Sequence, residues 1–419
     1  MTWSFRPKSE HAISALKWGA AGLVTAQAIA AATIISIDER RKRRQPPSDE
    51  FPYIEPKRTK VADSQITTYT YGEDLYATML EAISSATQYI YFESFIVKAD
   101  RVGYSFRDAL IAAAERGVKV YIILDTVGNF NQDPRFRHFP QLPNLYVINF
   151  PILRFGTLTG KAQDRGITHR KLLCVDGKIG FVGGYNIGAL YAEKWRDTHL
   201  SVHGPAAREL DMAFETLWNV YRKRRQPVLP SAGIQHWSSE FQVIQNLPAF
   251  KMYPIRNTYL AAIRRATKRV WITMAYFVPD ASMMNELASA ARRGVDVRVL
   301  IPEYSNHIIA DWVARSRYSE LLAAGVRIFL FEEAMVHAKT MTVDGVWSTV
   351  GTMNIDRLSM AGNYEVNAEI FDTAQAQQME EIFQVDLTNS HELLPRVWEQ
   401  RPVIARAAEV VLRPLSFLV

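Results

Sequence analysis

"ITHRKLLCVDGKIGFVGGYN", Ile167 to Asn186, and "MVHAKTMTVDGVWSTVGTMN", Met335 to Asn354, are two spellings of one pattern. In each, Lys follows His by two positions, Asp follows that Lys by five, and Gly and Asn follow the Asp by seven and ten. The flanks repeat as well. "YIYFESFIV" (Tyr89–Val97), "YSFRDALIAAAERG" (Tyr104–Gly117) and "VKVYIILD" (Val118–Asp125) predict strand, helix and strand. "RVWITMAYFV" (Arg269–Val278), "ASMMNELASAARRG" (Ala281–Gly294) and "VDVRVLIP" (Val295–Pro302) predict the same succession. The period, about 170 to 180 residues, is far beyond a solenoid unit, so a whole α/β domain is duplicated. The first copy is expected over residues 51–228 and the second over 229–393, with a basic amphipathic tail at 394–419.

The pattern carries chemistry. On a strand, residues two apart share a face, so His169 and Lys171 are expected to point one way, as are His337 and Lys339. Asp176-Gly177 and Asp344-Gly345 are hairpin signals, and the return strands are expected to bring Asn186 and Asn354 back beside the His/Lys pairs. Imidazole, ammonium and carboxamide together suit a phosphate. Two copies face to face would supply one imidazole to attack phosphorus and one to protonate the leaving alcohol. An attacking His needs an acceptor on its other nitrogen. Asp197 lies 28 residues after His169 and Glu365 lies 28 after His337, and these two carboxylates are expected to orient the imidazoles. Asp176 and Asp344 are expected at the turns and behind the site, with Gly184 and Thr352 in matched supporting positions. Cys174 reads as a small buried hydrophobe, His199 and His203 as structural or rim residues, and Glu93 as either cleft-lining or paired with a basic partner. His307 opens a loop that could reach the cleft. No Cys or His pair at ligand spacing stands near the motifs, so neither a metal nor a cofactor is expected.

A hydrophobic fraction of 48% describes a globular chain with a sizeable core. Its single cysteine excludes an internal disulfide. Removing the run "RRKRR" (Arg40–Arg44) from the formal net charge of +6 leaves a body close to neutral, which argues against a dedicated nucleic-acid binder. Residues 1–17 form a short N-terminal segment. "WGAAGLVTAQAIAAATIISI", Trp18 to Ile37, has no charge and is long enough, as a helix, to span about 30 Å. We read it as a transmembrane helix, with a cleaved leader or an interfacial helix as alternatives. The basic linker that follows, residues 38–50, places the catalytic lobes on the cytoplasmic face of the cell membrane.

The doubled HxKxxxxD pattern, followed by "GGYN" and "GTMN", resembles the paired signature of the phospholipase D superfamily. "WRDTHLSVHGPAA" and "NIDRLSMAGNYEVNAEI" are similar to its bacterial cardiolipin synthase branch. The resemblance covers roughly residues 60–390. It implies two tandem α/β/α lobes with pseudo-twofold symmetry and a shared active-site cleft. It implies a phosphohistidine intermediate, carried here to His169, and no metal. It implies transfer of a phosphatidyl group from one phosphatidylglycerol to another with release of glycerol. A phospholipase D hydrolase releasing phosphatidic acid is the alternative, and a nuclease or phosphodiesterase the second. Partners on this reading are phospholipid and membrane, not nucleic acid, with a homodimer as a possible assembly. Many members carry Ser after the motif Gly, whereas this chain has Gly184 and Thr352, which argues against equal roles for the two halves.

Overall fold

The computed structural model describes residues 25, 27–40, 43–44, 46–151, 166–230, 238–303 and 305–414. Two eight-stranded sheets dominate it. The first contains β1 (Lys57–Val61), β2 (Ser64–Tyr69), β3 (Tyr89–Ser94), β4 (Lys119–Asp125), β5 (Leu145–Phe150), β6 (Leu172–Val175), β7 (Ile179–Gly183) and β9 (His199–His203), in the order β1-β2-β9-β7-β6-β3-β4-β5. The second contains β10 (Phe241–Asn246), β11 (Arg269–Met274), β12 (Asp296–Pro302), β13 (Arg327–Phe331), β15 (Lys339–Val343), β16 (Trp347–Gly351), β17 (Glu365–Ile370) and β18 (Ser390–Glu392). Its order, β10-β17-β16-β15-β11-β12-β13-β18, repeats the first from β9 to β5 in β17 to β13. In both, three parallel strands (β3-β4-β5 and β11-β12-β13) meet an antiparallel hairpin (β6-β7 and β15-β16).

The hairpins turn where expected. Asp176 and Gly177 have φ of 52° and 62°, Asp344 and Gly345 55° and 69°. Two consecutive positive-φ residues make a type I′ turn, whose twist matches paired strands and which Asp-Gly tolerates. The aspartates do more than turn. Asp176 accepts from the backbone N–H of Thr87, Gln88 and Tyr89, each at 2.8 Å, and from the Thr87 hydroxyl at 2.7 Å. Asp344 repeats all four bonds with Thr267, Lys268 and Arg269. Each motif Asp therefore pins the start of the neighbouring central strand. That corrects the expectation that these carboxylates stand behind the site: they sit at the opposite end of the motif strand from the His.

Helices Arg101–Glu115 and Ala281–Arg292 fill the predicted crossovers. Asp100 and Asp280 cap them, accepting from Gly103 and Met283 N–H, which is worth about 1 kcal/mol each. Gly117 and Gly294, with φ of 97° and 88°, let the chain reverse into the next strand. One apolar core lies within the first lobe and two within the second. Another is shared, combining Leu200, Phe214 and Trp218 with Val350, Val366 and Ile382. Helices Ala207–Tyr221 and Thr373–Thr388 close the lobes, each touching strands of both. The lobes are thus fused through apolar packing, which fixes the cleft between them.

At the N terminus, residues 27–40 are helical, so the helix continues past Ile37 into the region read as a linker. Residues 1–17 and the beginning of the candidate membrane stretch, 18–24 together with 26, lie outside the described residues. Among the described residues no helix is long and apolar enough to cross a membrane. In the tail, Val403–Leu412 is helical.

Candidate active site

Both catalytic His candidates sit just before their strands, not within them: β6 begins at Leu172 and β15 at Lys339. The approach segments cross to the opposite lobe. Met335–Val336 (β14) pairs in parallel with Trp195–Arg196 (β8), and Thr168 bridges Tyr364. The His169 N–H donates to the Tyr364 carbonyl at 3.0 Å, and the His337 N–H to the Arg196 carbonyl at 2.7 Å. Tyr364 and Arg196 immediately precede the two carboxylates at matched offset. Consequently each imidazole is held by the other lobe. His169 Nδ1 lies 3.1 Å from Glu365 Oε2 and 3.1 Å from the Thr352 carbonyl oxygen. His337 Nδ1 lies 2.6 Å from Asp197 Oδ2. A carbonyl only accepts, so the bond to Thr352 places the proton of neutral His169 on Nδ1 and leaves a lone pair on Nε2.

The lysines stand beside the histidines. Lys171 Nζ donates to the His169 carbonyl at 2.7 Å. Lys339 Nζ lies 3.0 Å from both ring nitrogens of His337 and also donates to its carbonyl. Both ammonium groups are buried. Burial, and then Lys339, pushes Lys171 down to about 7; burial pushes Lys339 down to about 8 against the pull of Asp197 and Glu365. Burial and Lys171 lower His169, and burial with Lys339 and Lys171 holds His337 well below the usual imidazole range. Each lysine acts on the imidazole of the opposite lobe, so the four groups share one site. Burial is also the main cause that raises Asp197.

Asn186 and Asn354 are buried, and the side-chain oxygen of each has no hydrogen-bond partner. A buried amide with an open end is costly unless a ligand completes it. The supporting pair is asymmetric. The Thr352 hydroxyl donates to Glu365 Oε2 at 2.5 Å. At Gly184 a Cβ would stand 2.0 Å from Asp197 Oδ1, so glycine leaves room for the shorter acid. The sequence difference between the two copies is therefore a difference in how each carboxylate is seated.

Residues 79–218 and 259–387 match the family model described as cardiolipin synthase, PLD-like domain. The chain belongs to this phospholipase D-like family. It is 35% identical to the cardiolipin synthase of Geobacillus sp. (strain WCH70) over 83% of this chain and 71% of that protein. It is 33% identical to cardiolipin synthase 2 of Bacillus anthracis over 83% of this chain and 70% of that one. The fold is similar to phosphatidylserine synthase of Haemophilus influenzae Rd KW20, with a TM-score of 0.66 at 12% identity, covering 91% of this chain and 97% of that one.

The family motif names only part of the machinery that this structure shows. Arg170, between the motif His and Lys, is fully buried and pairs with Glu93 at 3.2 Å, which settles Glu93 as a paired core charge. The Thr168 hydroxyl also donates to Glu93 at 2.5 Å, and the Thr168 N–H donates to Asp125 at 2.9 Å. Arg196 forms a buried double hydrogen bond across the lobes to Asp386, at 2.8 and 2.9 Å. These pairs hold the backbone on which His169 and Asp197 sit. Charged residues inside apolar strands were the available signal, but nothing in the sequence said which partner each would find. The rings of Phe95 and Trp195 pack 5.1 and 5.0 Å from the imidazoles of His169 and His337. Tyr276 lies 6.0 Å from His337 and 4.9 Å from His307, placing His307 at the cleft. Cys174 is buried, His199 is buried on β9, and His203 is partly exposed at the end of that strand. Among the described residues, Glu303, Glu332 and His391 alone have potential metal ligands converging; none belongs to either motif.

Proposed function

We propose that the chain is a phosphatidyltransferase of the cardiolipin synthase type, acting on phosphatidylglycerol. The observation that carries this reading is the exchange of carboxylates between lobes, which accompanies two imidazoles and two ammonium groups in one buried cluster. His169 Nε2 attacks the phosphodiester phosphorus. The P–N bond forms, the P–O bond to the head-group glycerol breaks, and His337 in its protonated form gives its proton to the departing oxygen. The anionic phosphodiester, drawn between Lys171 and Lys339, favours that protonated form. The Nδ2 groups of Asn186 and Asn354 donate to the equatorial oxygens as charge builds there. His337, now neutral, then takes the proton of the primary hydroxyl on a second phosphatidylglycerol. That oxygen attacks phosphorus and the P–N bond breaks. The products are cardiolipin and glycerol, with His169 regenerated. On this reading the uncharged stretch 18–37 holds the chain at the membrane surface, with the basic run 40–44 against anionic head groups.

The test uses phosphatidylglycerol labelled in its head group, with products resolved by mass spectrometry. Cardiolipin and free labelled glycerol in equal amounts are expected. Phosphatidic acid in place of cardiolipin would mean that water is the acceptor, and the transferase reading would fail. Rapid quenching and peptide mapping should locate the phosphatidyl adduct on His169.

A further inference from the structure

Helix Val403–Leu412 packs inward through Leu412 and Ala408 but turns most of its large apolar side chains outward. Val403, Ile404 and Val410 are 73, 73 and 70% exposed. Its only carboxylate, Glu409, points inward and is buried, paired with Arg401 at 2.9 Å and Arg315 at 3.3 Å. A helix bordering solvent ordinarily does the reverse. Val403, Ala407 and Val410 recur three or four residues apart and form one exposed stripe, with Ile404 beside it. Exposed Arg406 and Arg413 run along one edge. Just upstream, exposed Leu394 and Val397 flank exposed Arg396.

Three observations say what covers this face. Its fringe is cationic: over residues 394–414 the exposed charges are Arg396, Arg406 and Arg413 against Glu399 alone. A second copy docked here about a twofold axis would bring that fringe toward its own like charges, whereas an anionic surface complements it. Second, the helix of residues 27–40 lies alongside, Gln27 Nε2 donating to the Val411 carbonyl at 3.3 Å. That helix comes from the uncharged stretch Trp18–Ile37, buries Ile34 in the core of the second lobe and leaves Ile29 exposed. Third, the face is tied to the cleft. Val403–Leu412 packs on helix Ile308–Ala323, which starts beside His307. A cavity of about 500 Å³ is lined by residues of that helix, among them Arg315 and Tyr318, together with Phe277, Leu393, Val397 and Trp398.

We propose that this face lies in the head-group region of an anionic phospholipid bilayer, with the stripe Val403–Val410 among the acyl chains and Arg396, Arg406 and Arg413 on lipid phosphates. The proposal deepens the lipid-substrate reading, and its test is independent of turnover. Cys174, the only cysteine, is buried, so one introduced surface cysteine takes a thiol-reactive, polarity-sensitive fluorophore selectively. Full-length chains labelled at Ile404→Cys, Val410→Cys and, as control, the exposed Lys119→Cys on the first lobe are mixed with vesicles of phosphatidylglycerol and phosphatidylcholine. Some vesicles carry brominated acyl chains as quencher. Blue-shifted emission and bromine quenching are expected at 404 and 410 and not at 119, with the shift lost in Arg406→Glu/Arg413→Glu. Unshifted probes at 404 and 410 on chains that float with the vesicles would overturn the proposal. Self-quenching that rises with protein concentration without lipid would also overturn it, showing a second copy on the face. An equal shift on pure phosphatidylcholine would remove the role given to the arginines. Thermal melting of the labelled chains confirms folding, and their turnover of detergent-dispersed phosphatidylglycerol is read in parallel. If turnover is absent while the shift persists, the transferase reading fails and the docking face stands.

Discussion

Gly184→Ala isolates the seating of one carboxylate without touching any group that meets substrate. The added Cβ would stand 2.0 Å from Asp197 Oδ1, where real Cβ contacts essentially never fall below 3.0 Å. Asp197 must therefore move by about 1 Å, and its 2.6 Å bond to His337 Nδ1 opens to about 3.6 Å, beyond hydrogen bonding. A hydrogen bond to a charged partner contributes about 1.5–3 kcal/mol. His337 then loses its orienting acceptor and the stabilisation of its protonated form, so kcat should fall about 10- to 150-fold. Gly184 is not among the positive-φ glycines, so alanine adds no backbone strain there. Thr352 fills the matched position of the second lobe, so the fold accepts a side chain at this point when the acid is glutamate. The assay is release of labelled glycerol from phosphatidylglycerol under saturating substrate, with thermal melting to confirm the fold. An alanine variant that melts like the parent and keeps full kcat would refute the reasoning. So would a loss as deep as that of His337→Ala, because displacing an orienting acceptor leaves the acid itself in place.

Other expectations follow from the same geometry. The rate constant kcat/KM should fall on the alkaline side between about pH 7 and 8, as Lys171 and Lys339 lose their protons and with them their hold on phosphate. On the acid side it should hold to below pH 6.5, because His169 is lowered from that value and stays neutral; a pH–rate profile in detergent reads both limbs. Asp176→Ala removes four hydrogen bonds at a strand start and should lower unfolding free energy by about 2–4 kcal/mol, with kcat unchanged below the melting range; denaturant titration alongside turnover checks it. Asp386→Asn strips the charge from the buried partner of Arg196 and should cost about 3–5 kcal/mol, read by the same titration. Buried His199 is pushed down to about 3. Below pH 6.5 the unfolded chain binds a proton there that the folded chain refuses until about pH 3, so stability falls across that window. His199→Gln should flatten that part of a melting-temperature profile against pH.

Much of the fold was legible because its signals are local. Asp-Gly at 176–177 and 344–345 encodes a turn through backbone conformation alone, and the glycines ending the crossover helices do likewise. The equal 28-residue offset, which duplication preserves, pointed to Asp197 and Glu365, and each lies within hydrogen-bonding distance of an imidazole. Sequence periodicity misplaced His169 and His337 on strands; they lie three and two residues before β6 and β15, in segments whose partner is the other lobe. Periodicity reports which face of its own element a residue occupies and is silent about a backbone that pairs outside its own sheet. The roles of Arg170 and Arg196 were hidden for a related reason: a buried charge announces that it needs a partner but not where in the chain that partner lies.

By itself, then, the sequence determined two copies of an α/β lobe, each carrying one His, one Lys and one Asn on the same short motif. Tertiary structure alone decided that Glu365 serves His169 and Asp197 serves His337. How the two lobes meet is governed by the shared apolar core of Leu200, Phe214, Val350 and Val366. The outcome depends on how two whole surfaces fit, and no stretch of residues short enough to show a period contains that information.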